Sequence, residues 1–162
     1  MNKILQRDFD LAVNELKGFL LSMASICMRK GWGYELTDNA PESYEDLKKQ
    51  SKNKVIPIAS YGSDRTIYGD KSMNTLFRFY HDVIHLENGF SFSEKGETLT
   101  AKQHLKDATL YRLSPLACSI LWADTYGQVR YYFTHRQFVN NQLDFVWNCI
   151  QHGIQKAIRV KL

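Results

Sequence analysis

Residues 73–87 read MNTLFRFYHDVIHLE. Apolar and polar side chains recur here at spacings of three and four, the period of an α-helix. At about 100° per residue, Leu76, Tyr80, Val83, Ile84 and Glu87 fall on one side of the helix. Arg78, His81, Asp82 and His85 fall together on the other. One face is therefore built to meet a core. The opposite face carries two histidines one turn apart.

The same period extends in both directions. Phe9, Ala12, Val13, Leu16, Phe19, Leu20, Met23, Ile26 and Cys27 form an apolar stripe that ends at Gly31 and Gly33. Residues 34–54 are polar, and Pro41 with residues 42–52 predicts a short exposed helix carrying a solvated run of lysines. Val55 to Ala59 and Thr66 to Tyr68 are short β-like runs around Tyr61-Gly62-Ser63-Asp64, read as a hairpin or an extended segment. Pro57 argues against a central strand.

Asn88-Gly89 and the loop Phe90-Ser91-Phe92 separate 73–87 from a further helix over 94–112, with Ser93 at its first turn. Ser114 as cap and Pro115 at the first position open the next helix, to about residue 126, where Gly127 interrupts it. A last helix carries Val139, Leu143, Val146, Trp147, Ile150, Ile154, Ala157 and Ile158 on one stripe. The expected fold is mainly α, a single-domain helical bundle with a minor β-hairpin or extended segment. Its parts are an N-terminal helix (1–33), a polar or extended segment (34–72), a helical motif core (73–128) and a basic C-terminal helix (129–162).

The chain has 162 residues, 44% of them hydrophobic and 13% aromatic, enough to bury a core without disulfide staples. Its formal charge is +4. Residues 1–128 hold 16 basic and 16 acidic side chains, whereas residues 129–162 hold 5 and 1, so the whole surplus lies in the tail. Cys27, Cys118 and Cys149 form no metal or redox motif and read as small core hydrophobes of a reducing compartment. The most apolar early stretch, residues 18–28, is too short to span a bilayer and follows acidic residues, unlike a signal peptide. The expectation is a cytoplasmic protein with no membrane partner.

His81 and His85 have the spacing at which two imidazoles grip one cation. His-Asp-x-x-His matches the zinc-protease motif His-Glu-x-x-His in spacing, with Asp82 in place of the longer glutamate. The third histidine of the metzincins would fall on Ser91. On the next helix, Glu97 and His104 share one face with Ala101 and Ala108 between them. An antiparallel pairing of the two helices would bring Glu97 or His104 to the histidine pair, giving two histidines and one carboxylate with open positions. The bland alternative is a helix N-terminal charge and two surface histidines. No glycine-rich phosphate loop and no nucleophile elbow occur. No histidine precedes His81, which argues against a histidine-aspartate phosphohydrolase.

Over residues 61–135 the chain resembles an uncharacterised domain of phage and mobile-element proteins. The residues that carry the resemblance are Arg78, His81-Asp82-Val83, His85, Gly89, Phe92, Gly96-Glu97, Ala101 and His104. Asp124-Thr125-Tyr126-Gly127-Gln128 matches a later block of an acidic residue, Thr, any residue and Gly-Gln. Three departures stand out. His85 follows His81 by four residues instead of five, Asp124 replaces the usual glutamate, and Val129-Arg130-Tyr131-Tyr132 replaces aromatic and asparagine residues. The resemblance implies a phage or mobile-element origin and a polar site drawn from Arg78, His81, Asp82, His85, Glu97, His104, Asp124 and Gln128.

Three functions compete at this level. The leading one is an accessory protein of a phage or mobile element, acting in the host-cell cytoplasm by binding a host protein. The second is a small metal-dependent hydrolase. There His81, His85, Glu97 and Asp124 are the metal ligands, Asp82 and Glu97 the catalytic carboxylates, and a divalent ion such as zinc the cofactor. The third is a nucleic-acid binder using the tail, where Arg130, Arg136 and neighbouring aromatics interleave. Nucleic acid is the less favoured partner, and the sequence sets no oligomeric state.

Overall fold

A computed structural model describes residues 5–62 and 65–160. Part of the Tyr61–Asp64 turn, and Lys161, lie outside the described residues. Helix α1 (Gln6–Arg29) is followed by strand β1 (Gly33–Thr37), helix α2 (Tyr44–Gln50) and strand β2 (Val55–Ala59). Then come α3 (Lys71–Asn88), α4 (Glu94–Leu110), α5 (Pro115–Trp122), a π-turn (Ala123–Gly127) and α6 (Gln128–His135). Helices α7 (Gln142–His152) and α8 (Ile154–Arg159) complete the chain. The expected mainly α architecture is what forms.

Helix α1 buries its predicted stripe: Phe9, Leu16, Phe19 and Leu20 are all but inaccessible. Each such side chain contributes about 1.5–3 kcal/mol relative to exposure. The helix packs against α3 and α5. Residues 18–28 are part of this longer helix, which is long and apolar enough by length and composition to cross a membrane. Its apolar face is a core face here.

The β element differs from the expected hairpin. β2 pairs in parallel with β1, Tyr34 opposite Ile56 and Leu36 opposite Ile58, and residues 66–68 form no strand, with 67–68 in a turn. Parallel strands need a crossover, which α2 supplies. Only Ile56, Pro57 and Ile58 are buried in β2, against α2 and α3. Pro57 is tolerated because a two-stranded sheet consists only of edges.

Two further expectations are corrected. Gly127 does not interrupt the helix begun at Pro115; the chain runs on through the π-turn into α6. A Cβ at Gly127 would lie 3.3 Å from the Phe145 ring and 3.7 Å from Cys149 Sγ, so this glycine lets α7 approach. The tail is three helices instead of one. Arg136 closes α6, Asn141 caps α7, and Gly153 at φ 88° separates α7 from α8.

Candidate metal centre

Gly89 ends α3 in the left-handed conformation, φ 68°, with its N–H capping the His85 carbonyl. The Ser93 hydroxyl accepts from Gly96 N–H at the start of α4. Between these caps, residues 90–93 fold tightly against the first turn of α4. A Cβ on Gly96 would stand 1.9 Å from the Ser91 carbonyl oxygen. Only glycine fits, and the resulting hairpin faces α4 towards α3.

That pairing brings His81, His85 and Glu97 together. Their ligand atoms lie within 4.8 Å of one another. His81 Nε2 and His85 Nε2 are 3.0 Å apart, and Glu97 Oε2 is 3.4 Å from each. His85 is fully buried, while His81 and Glu97 are 22% and 19% exposed, so the open side of the triangle faces solvent.

The tautomers follow from the outer partners. His85 Nδ1 meets the Phe90 carbonyl oxygen at 2.8 Å. A carbonyl only accepts, so Nδ1 carries a proton and Nε2 is the nitrogen that faces His81 and Glu97. Phe92 packs edge-on to the same ring, 4.9 Å between centroids. His81 Nδ1 lies 3.1 Å from His104 Nε2. His104 is buried between Phe77, stacked at 5.3 Å, and Tyr80, edge-on at 4.7 Å. Its Nδ1 has no hydrogen-bond partner among the described residues. Burial, then the positive charge of His81 and His85, holds the His104 pKa well below the ordinary value, so its ring is neutral.

Three metal-ligating atoms therefore converge, and in the ion-free protein a proton held on His81 faces the Glu97 carboxylate. Burial lowers the His81 pKa, but the Glu97 carboxylate more than compensates, so it is raised overall. Burial pushes Glu97 upward, and its hydrogen bonds from His81 and His85 win, bringing it to about 2. A divalent ion fits the same position. The circle through the three ligand atoms has a radius of about 1.9 Å, close to the ~2.0–2.2 Å reach of zinc, so His81, His85 and Glu97 would hold such an ion. Each ligating histidine then donates its other N–H to an acceptor, Phe90 O or His104 Nε2.

The remaining expected site residues take other positions. Asp82 is half-buried beside the triad and has no hydrogen-bond partner among the described residues. Burial raises its carboxyl to about 6, against the opposing pull of His81 and His85. Asp124 is not one of the three converging groups. Gln128 Nε2 donates to its Oδ1 at 2.7 Å and to its backbone carbonyl at 2.8 Å, and Tyr68 donates to Oδ2 at 3.3 Å. Burial lifts Asp124 to about 7, offset in part by Tyr68, Gln128 and the charge of His81. Gln128 thus ties the π-turn together, bonding both the backbone and the side chain of Asp124.

Arg78 donates to the carbonyls of Ala59, Tyr61 and Gly62, at 3.2, 2.8 and 2.9 Å, and so clamps the chain leaving β2. Arg130 is ion-paired with Glu94, one helical turn before Glu97. Arg136 is exposed, its guanidinium 5.4 Å from the Phe133 ring centroid. The three cysteines are unpaired, and burial holds Cys27 at about 11 and Cys149 at about 12, in the protonated form.

Sequence reasoning did not single out Phe77, Tyr80, Tyr68 or the Phe90 carbonyl as parts of the site. Phe77 and Tyr80 carried only an apolar-face signal, and a backbone carbonyl carries none. Compared with family models, curated proteins and solved structures, the chain finds no match.

Proposed function

We propose that this protein is a small metal-dependent hydrolase centred on His81, His85 and Glu97. The observation that carries the reading is the triangle of ligand atoms, 3.0 and 3.4 Å on its sides, with both outer imidazole nitrogens already engaged. Two histidines and a carboxylate on one side of an ion leave positions open for water and substrate. A divalent ion such as zinc would supply Lewis acidity and lower the pKa of water there. His85 and His104 exclude solvent from the inner side, while His81 and Glu97 border the open side. Asp82, next to His81 in the chain and within electrostatic reach of His81, His85 and Glu97, would be the group to take a proton from water. The reading as a phage or mobile-element protein that binds a host factor rests on the motif resemblance alone.

Titration of the metal-free protein with zinc against a chromophoric chelator tests the centre. The expected result is a single ion per chain, with affinity reduced about 100-fold or more in His85→Ala and in Glu97→Ala. Hydrolysis of chromogenic esters and phosphodiesters should need the ion and fall in Asp82→Asn while the ion remains bound. A protein that takes up no zinc, or takes it up equally in both ligand variants, overturns the proposal.

A further inference from the structure

The geometry points to single-stranded nucleic acid as the ligand of a strip that starts beside the metal centre and runs along α6. As a statement of substrate class this rests on the hydrolase reading above; as a binding surface it stands alone. The strip begins at Glu94, in the first turn of α4 with Glu97, where Arg130 of α6 is anchored. Phe133 follows Arg130 by one helical turn. Arg136, next along, lies over the Phe133 ring at 5.4 Å. Phe138 is 74% exposed and stacks on Tyr132, centroids 4.6 Å apart and planes 28° from parallel.

Three features favour this ligand. First, Phe138 leaves an aromatic face in water, supported from behind by Tyr132, which is the form of a platform for an unpaired base. Second, Arg136 holds a left-handed backbone, φ 56°, at a position that glycine usually fills. A non-glycine residue there costs free energy, and the conformation is secured by Arg136 N–H donating to the Tyr132 carbonyl at 2.7 Å. The exposed guanidinium lies over the Phe133 ring, where a phosphate can meet it. Third, the surrounding charge is positive. His135 Nε2 contacts the Ile158 carbonyl at 2.7 Å, which seats exposed Arg159 beside the end of α6. The only acidic residue beyond position 128 is Asp144, held by Asn141. Arg130 keeps its own carboxylate partner and serves as the tether between strip and centre.

With the phosphodiester as substrate, the step is hydrolysis. The water oxygen bonds to phosphorus and the ester P–O bond breaks. The proton lost by water passes to Asp82, and the leaving oxygen takes up a proton from solvent.

Fluorescence anisotropy with a labelled oligothymidylate of about 15 nucleotides tests the strip. Binding should weaken about tenfold in Phe138→Ala and in Arg136→Gln, and should decline with added salt. Both positions are exposed, so the variants keep the fold, checked by unchanged circular dichroism. Duplex of the same length and poly-glutamate should compete poorly. No binding by the intact protein, equal binding of duplex or of poly-glutamate, or unchanged affinity in both variants overturns the inference. Binding with these sensitivities but without metal-dependent cleavage would leave the strip in place and remove the hydrolase reading alone.

Discussion

His104 is the residue on which the centre turns. To offer Nε2 to an ion, His81 must carry its proton on Nδ1, and among the described residues the group hydrogen-bonded to that nitrogen is His104 Nε2. Replacing His104 with phenylalanine keeps an aromatic ring between Phe77 and Tyr80 but removes the acceptor. Zinc affinity should fall about 10–100-fold, with the metal-free melting temperature changing far less; His104→Gln, which restores an acceptor, should recover part of the affinity. Equal affinities in both variants would show that His104 is packing only. Asp124 makes a second residue-scale case. An ordinary aspartate titrates at 3.8 and the buried one at about 7, so between these values the folded state holds a proton that the unfolded state has released. Its contribution to stability is therefore most favourable below about pH 4 and becomes a full cost above about pH 7. Asp124→Asn does not titrate. Its melting temperature relative to the metal-free parent should rise from about pH 5 to about pH 8, and a constant difference would place the proton elsewhere.

At the scale of elements, the α3–α4 hairpin makes the site. Its connection is set by Gly89, by the Ser93 cap and by the contact of Gly96 with Ser91. The same connection delivers Phe90 O to His85 and Glu97 to both histidines. Gly96→Ala should thus cost about 2 kcal/mol or more, because the clash is with backbone that cannot swing aside. Zinc affinity should fall with it, since the loop and the first turn of α4 move together. Thermal denaturation and zinc titration of the one variant check both effects; a loss of stability with full affinity would separate the loop from the site. The π-turn is the second such element. It widens the helix where Asp124 and Gln128 bond to each other. A reading that expected a break at Gly127 saw the glycine but not α7 pressed against it.

For the whole molecule, the ligands come from two helices that other contacts hold only in part. Among the described residues α1 packs on α3 and α5, and α4 meets α3, α5 and α6. An ion joining α3 to α4 binds the folded state alone, so it should raise the melting temperature by mass action. Free zinc at 100 times its dissociation constant contributes about 2.7 kcal/mol. The expected observation is a rise of several degrees on adding zinc, reversed by chelator and absent in Glu97→Ala. A melting temperature indifferent to zinc would mean that the ion, if bound at all, does not bridge the two helices.

Much of this was legible from local pattern. The stripe of α1, the caps at Ser93 and Ser114, and the shared face of Arg78, His81, Asp82 and His85 all follow from helical period and side-chain chemistry, which act over a few residues. The pairing of Glu97 with the two histidines was one of several arrangements the spacing allowed. What decided it was the reverse of direction at residues 89–93, a steric matter between Gly96 and Ser91. The same holds for Asp124 and Arg78. Both carry charge in the motif region, yet Asp124 meets Tyr68 from a distant segment and Arg78 meets the carbonyls after β2. The parallel β1–β2 pair escaped local reading because its partner strand lies across a crossover helix. Sequence by itself determined the apolar faces of α1 and α3 and the capped starts of α4 and α5, because those are short-range properties. Only the tertiary structure decided which polar groups meet, because burial forces each to find a partner and the partner is chosen by packing.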